Sequence, residues 1–349
     1  MDLIFTNADR EDQGVLLNYD LDLAFGKSEN DFECTLLAEA HCCEPGSLLY
    51  VEGTEYGGVI DSVASNSTTK EVVYSGRTWH GILASKVIEP LHESEIQGED
   101  STFEVDGVTI QTIDNQGNSY AESYLVVSGD ANDCLRFILN RCALFPFVVV
   151  ADEQAGVTIN KFKFDRYIDA YSGLMKMLKK AGLKLKIAFK NGQVTVGATA
   201  KCDYTAQEEF DSDLIEFKAR KNYKTVNHLV CLGTGELAER TVVHLFADEF
   251  GNISEEQTLF GFDEITAVYD YPNVESLEEL VDSGELYLKQ LWATDEMSVD
   301  FDASDDIYDI GDIVGAYDNI TGLAVAAEII KKIVTIKNGQ TTISYEVGD

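Results

Sequence analysis

Apolar and polar residues alternate along much of the first third of the chain. In LNYDLDLAF, Leu17, Tyr19, Leu21 and Leu23 fall on one face and Asn18, Asp20 and Asp22 on the other, the two-residue period of a half-buried strand. Turn-forming clusters (GKSEND, EPGS, EYGG, SNSTTK) interrupt the pattern at short intervals. Residues 1–90 are therefore expected to make several short strands, arranged as a small β-barrel or sandwich. The period changes at TWHGILASKVIEP, where Trp79, Ile82, Leu83 and Val87 recur at helical spacing. Thr78 is placed to cap that helix and Pro90 to end it.

Residues 91–205 read as a mixed α/β segment. After the polar stretch HESEIQGEDSTFEVDG, the spacing predicts a helix over 131–142, strands near 145–151 and 157–163, and a helix near 166–181. That last helix carries Ile168, Tyr171, Leu174, Met175 and Leu178 on one face and meets Gly182 just past its end. LKLKIAF and QVTVGA, joined by Lys190-Asn191-Gly192, form a hairpin pattern. Strand patterns return from 206 in LIEFKARKN, VNHLVCLG and ERTVVHLFAD, followed by an acidic helical insertion near 274–293. The remaining residues read as four or more strands, with turns at Asp318-Asn319, Thr321-Gly322 and Asn338-Gly339. The predicted class is α+β, mostly β: two small β-barrel domains (1–90 and 206–349) around an α/β middle domain (91–205), with no short-period repeat.

Composition supports folding and narrows the partners. With 45% hydrophobic and 10% aromatic residues, 349 residues suffice for two or three cored domains. No run approaches the roughly 18 apolar residues of a membrane helix; the longest candidate, CALFPFVVVA, contains Pro146. The opening MDLIFTNADREDQG lacks the features of an export signal. A net charge of −36 repels phosphate and argues against sequence-specific nucleic-acid binding. The one basic cluster, Lys176 to Lys190, reads as a solvated face. Seven cysteines, odd in number and without a C-x-x-C pair, predict free thiols and folding in a reducing cytoplasm; Cys134 and Cys142 are expected to serve as small core residues.

Candidate chemistry is sparse. DFDASDDIYDIGD places Asp300, Asp302, Ser304 and Asp306 at calcium-loop spacing, but Asp305 stands where such a loop needs Gly and Gly311 where it needs Glu. His41-Cys42-Cys43 could supply metal ligands, yet strand alternation would send Cys42 away from its neighbours. His80, His92, His228 and His244 fall in separate contexts without a nucleophile motif. No metal, cofactor or catalytic residue is expected. Arg77, a cation at a helix start, is expected to meet a carboxylate or free carbonyls, and the corner around it to be a structural joint packing Trp79 into the first barrel.

The strings EYGGVIDSV…YSGRTWHGILASKVIEP and YDIGDIVGAYDNITGLAVAAEIIKKIVTIKNGQTTISYEVG resemble the tail-tip hub proteins of siphophages and prophages. That family is related in fold to contractile-tail baseplate hubs and type VI secretion spikes. The residues carrying the resemblance are Gly57, Gly58, Gly76, Arg77, Thr78 and Trp79 at one end and Gly311, Asp312 and Gly322 at the other; His80 stands where the family often has Arg. The resemblance implies a structural, non-enzymatic protein of the virion tail tip, made in the host cytoplasm. It implies a homotrimer whose paired barrels meet a sixfold tail tube or distal tail protein, enclose a channel for DNA and the tape-measure protein, and carry distal fibre or lysin components. The chain stops at Asp349 after the last barrel-like strands, so an appended lysin is not expected. The competing expectation is a carbohydrate-active hydrolase using two carboxylates on a β-scaffold.

Overall fold

The computed structural model describes residues 2–96, 101–114, 116–205, 209–211, 217–220, 226–248, 251–272, 274, 276–292, 296–303, 308–318, 323–337 and 339–348. In chain order, β1 (Ile4–Thr6), β2 (Asp12–Val15), β3 (Tyr19–Gly26), β4 (Asp31–Leu37), β5 (Leu48–Tyr50), β6 (Gly57–Asn66) and β7 (Glu71–Thr78) lead into α1 (Trp79–Ala84). Next come β8 (Thr102–Val105), β9 (Val108–Gln111), β10 (Leu125–Asp130), α2 (Ala131–Arg141), β11 (Val148–Val150), β12 (Thr158–Phe164), α3 (Ala170–Lys180), β13 (Leu183–Lys190) and β14 (Gln193–Ala200). The rest comprises β15 (Glu209–Asp211), β16 (Phe217–Arg220), β17 (His228–Leu232), β18 (Val242–Ala247), β19 (Ile253–Ser254), β20 (Thr266–Asp270), α4 (Leu277–Trp292), β21 (Glu296–Ala303), β22 (Ile313–Asp318), β23 (Leu323–Lys337) and β24 (Gln340–Gly348). The class is α+β and mostly β. The chain divides into two compact units, Met1–Phe217 with Val299–Asp349, and Lys218–Ser298.

In the larger unit, strands from both ends of the chain share one sheet, in the order β21-β24-β23-β3-β4-β7-β6-β5-β1-β2, with β22 also pairing β23. The link is β3 against β23, antiparallel from Gly26↔Lys331 to Leu21↔Ile336. Among the described residues no pairing closes either end into a barrel of its own. The alternation in β3 buries Leu21 and Leu23 and exposes Asp20 and Asp22. Leu17, expected on the buried face, is 75% exposed, because the strand begins only at Tyr19, after Asn18 with its left-handed backbone (φ 53°).

The middle segment supplies most of one large core cluster of the larger unit. Asp130 caps α2 by accepting from Asn132 N, and Asp169 caps α3 by accepting from Ser172 N. The apolar faces of α2 (Cys134, Leu135, Ile138, Leu139) and α3 (Tyr171, Leu174, Met177, Leu178) pack in one cluster with Ile187, Phe189, Val194 and Val196 of the β13–β14 hairpin. That hairpin turns through Asn191 and Gly192, both at positive φ. Met177 lies in the core, while Met175 and Ile168, which precedes the helix, are partly buried against it. The polar run before α2 contains strand β8, which forms a sheet with β9, just after the run, and with β10 and β12. Helix α1 is shorter than its pattern: it ends at Ala84, and Val87 is 48% exposed.

In the smaller unit, β19-β18-β17-β20 form a sheet with β20 parallel to β17. Helix α4 covers one face, packing Leu280 and Leu288 on Leu229, Cys231, Leu245 and Ala247. Gly284 permits the approach, because a Cβ there would stand 2.5 Å from Cys231 Sγ.

Leu174 is fully enclosed at the centre of the larger unit's core. Leu174→Ala is expected to lower the unfolding free energy by about 2–5 kcal/mol in urea titration, through lost transfer energy and a residual cavity.

Candidate functional site: a corner held by buried lysines

The corner 55–85 begins with two strands in unusually close contact. A Cβ on Gly58 would lie 2.2 Å from Arg77 O, and one on Gly76 would lie 1.9 Å from Val59 O. The register of β6 on β7 shifts between Ile60 and Ser62, a bulge that re-aims Asp61. Its carboxylate then accepts from Arg77 Nε and Nη2, both at 2.8 Å, and from Arg77 N at 3.1 Å. Arg77 Nη1 also donates to Ser85 Oγ at 3.2 Å. The hydrogen bonds from Arg77 hold the Asp61 carboxyl below its ordinary range. Both side chains are more than a third exposed, so this pair aligns the corner more than it stabilises it.

Thr78 caps α1 by accepting from Gly81 N at 3.3 Å. Trp79, fully buried, lies in one cluster with Leu48 and Tyr50 of the first β-segment and reaches past them into the middle segment. It stacks on Phe189 of β13 (centroids 4.8 Å, planes 11° apart), and Phe147 lies near its edge. A side chain on Gly57 would meet the Trp79 ring at 2.8 Å. Backbone bonds from Gly53 N to Phe189 O and from Phe189 N to Thr54 O complete the joint between corner and middle segment.

On the other side of the corner lies a buried charge. Lys332 of β23 is 0% exposed and donates from Nζ to Glu55 Oε1 at 2.9 Å. Its ammonium lies near the rings of Tyr56, Tyr345 and Phe25, 5.2 to 6.0 Å from their centroids. A backbone bulge brings it there: β23 buries Ala327 and Ile329, shifts register between Ile329 and Lys331, and then buries Lys332, Val334 and Ile336.

His80 stacks on Phe25 (4.7 Å, 4°), and its Nε2 lies 3.7 Å from Glu55 Oε2. The distance is that of an ion pair, but the imidazole is neutral. Burial, reinforced by the Lys332 ammonium, pushes its pKa down to about 3. Lys332 therefore supplies the positive charge at Glu55, and His80 supplies a flat surface between Phe25 and Tyr171.

A second buried lysine holds the other motif. Lys184 Nζ donates to Asp312 Oδ1 at 2.7 Å and to Asp309 Oδ2 at 2.8 Å, and Lys186 also reaches Asp309. Burial opposes the charge on Lys184, but the two carboxylates outweigh it and raise its pKa above the ordinary lysine value. Asp312, 0% exposed, also accepts from Cys202 N and Asp309 N. Gly311 stands at φ 96° beside Lys184 Cβ, where a side chain of its own would clash. The basic cluster is thus not wholly a solvated face, since Lys184 is enclosed by the aspartates it neutralises. Gly322, Ser304, Asp305 and Asp306 lie outside the described residues.

Two further expectations need correction. Residues 41–43 are not strand, and Cys42 Sγ lies 3.7 Å from Cys43 Sγ. His228 and His244 are not separate either. They face one another across β17 and β18, with His228 Nε2 2.8 Å from His244 Nδ1 and His228 Nδ1 2.7 Å from Glu264 Oε1. The signal available was their shared strand parity once the two strands pair Val230 with His244.

No family model and no curated protein sequence matches the chain. Solved structures do. The 43 kDa tail protein of prophage MuSo2 from Shewanella oneidensis aligns over 100% of this chain and 98% of its own, with TM-score 0.57 and 10% identity. Prophage tail protein gp18 from Listeria monocytogenes EGD-e aligns over 99% and 94%, with TM-score 0.52 and 10% identity. A tail protein from Neisseria meningitidis MC58 aligns over 100% and 96%, with TM-score 0.51 and 11% identity. The chain has the fold of these tail proteins.

Lys332→Met leaves Glu55 facing a neutral imidazole. Urea unfolding is expected to show a loss of about 3–5 kcal/mol, the usual cost of removing one partner of a buried pair. His80 also predicts a pH dependence. Its folded pKa of about 3 lies below the ordinary 6.5, so the unfolded chain binds the extra proton between those values. The stability contributed by neutral burial is complete above pH 6.5 and falls with acidification, by up to about 1.4 kcal/mol per pH unit, until pH approaches 3. In His80→Phe, which keeps a ring on Phe25, the stability-versus-pH curve is expected to be shallower than wild type by that slope.

Proposed function

We propose that this chain is a structural hub of a phage or prophage tail tip. The observation that carries the reading is the fold match to three tail proteins, two of them from prophages, over at least 94% of every chain compared. On this reading residues 1–90 and 206–349 act as paired β-modules around the middle segment 91–205, and three copies present six modules. That arithmetic lets a threefold tip meet a sixfold tail tube or distal tail protein, with fibre or lysin components beyond it. The corner and its lysines are then cohesive parts, keeping the first and last strands of each copy in fixed relation, and no catalytic role is assigned to them.

The charge suits a conduit. At −36 per copy, a trimer surrounds its axis with carboxylates, and DNA passing within a screening length of roughly 8 Å would be repelled rather than held. The tape-measure protein is the other occupant proposed for that channel. Light scattering on the purified chain, run after size exclusion at rising concentration, is expected to reveal a trimer, alone or in equilibrium with monomer. A tight dimer with no trimer at any concentration would overturn the proposal.

A further inference from the structure

His41, Cys42 and Cys43 lie between β4 and β5, in neither helix nor strand. In a strand, consecutive side chains point to opposite faces; here the Cys42 and Cys43 sulfurs lie side by side at 3.7 Å. Tyr74, 0% exposed, clamps the backbone that brings them together. Its hydroxyl oxygen accepts from Cys42 N at 3.0 Å and from Cys43 N at 3.1 Å, and lies 2.9 Å from His41 Nδ1. Cys42 is exposed, whereas Cys43 is 3% exposed. Burial, followed by the neighbouring Cys42, pushes the Cys43 thiol up. Cys42 is thus the sulfur that meets an outside reagent, with Cys43 in place to react second.

We propose that Cys42 and Cys43 are a redox-active vicinal dithiol, closed to a disulfide by a small-molecule disulfide such as oxidised glutathione. The Cys42 thiolate attacks one reagent sulfur, breaks the reagent S–S bond and releases one thiol. Cys43 then loses its proton, attacks Cys42 Sγ and expels the second thiol, which takes a proton up. Two protein thiols are oxidised and one reagent disulfide is reduced to two thiols. The sulfurs close from 3.7 Å to a bond of about 2.05 Å by side-chain rotation together with a backbone adjustment. The ring so formed contains the Cys42–Cys43 peptide bond, so closure turns that peptide and draws the Cys43 N–H away from Tyr74. The inference does not rest on the tail reading.

The test uses the full chain, reduced, desalted and titrated with oxidised glutathione, with intact-mass measurement and peptide mapping. The expected result is the loss of two hydrogens, mapped to Cys42 and Cys43 and reversed by dithiothreitol. Cys43→Ser is expected to stop instead at one glutathione adduct on Cys42, and Cys202→Ser to behave as wild type. Hydrogen exchange at the Cys43 amide is expected to be faster in the oxidised protein than in the reduced one. A stable glutathione adduct on wild-type Cys42, a disulfide between other cysteines, or no change in mass would each overturn the proposal. The wild-type map decides the matter even if a variant fails to fold.

Discussion

The ammonium of Lys332 lies on a strand near the end of the chain, and the carboxylate that neutralises it belongs to Glu55, in the loop before β6. Neither charge is tolerable there without the other, because removing an ion from water costs several kcal/mol that only a close partner can offset. That requirement constrains the whole larger unit. Lys332 can reach Glu55 only if β23 lies against β3 in the observed register, opposite Phe25. A slip of one residue would turn the lysine to the other face and bring its neighbours inward.

Replacing both members of such a pair by well-packed apolar side chains is often neutral or stabilising, so stability alone does not explain a buried lysine. What the pair adds is discrimination among registers. β23 is long and its apolar alternation is nearly uniform, with Ile329, Ile330, Ile333, Val334 and Ile336 offering several acceptable pairings. The bulge after Ile329 and the buried charge of Lys332 after it select one of them. Lys184 does the same for the β13–β14 hairpin, since Asp309 and Asp312 satisfy it only when Gly311 leaves room beside its Cβ. Both segments that resemble the hub family thus coincide with places where a buried lysine meets carboxylate across a long stretch of chain. The departure at His80 fits this arrangement: with Lys332 already neutralising Glu55, the neighbouring position holds an uncharged ring.

Much of the fold was legible because local periodicity reports burial. The two-residue period of β3, the helical faces of α2 and α3, the Asn191-Gly192 hairpin and the Thr78 cap each depend on neighbours a few residues away. The misses share a different cause. Leu17 and Val87 continue an apolar pattern past the point where the backbone leaves its element, through Asn18 at positive φ in one case and the end of α1 at Ala84 in the other. Lys184 looked like part of a solvated run because its aspartates lie more than a hundred residues away. Strand alternation would send Cys42 and Cys43 in opposite directions, but the chain there is held out of a strand by Tyr74.

By itself the sequence determined the α+β, mostly β class, the positions of most strands and helices and the acidity. These follow from side-chain chemistry repeated at short range. Only the tertiary structure decided that the two ends of the chain join in one sheet, that Trp79 faces Phe189, and that Lys332 and Lys184 are buried at carboxylates. Those outcomes depend on desolvation and long-range pairing. A lysine's environment is set by whichever carboxylate the fold brings to it, and a bulge of one residue is enough to exchange the fully buried member of a Lys-Lys pair for its less deeply buried neighbour.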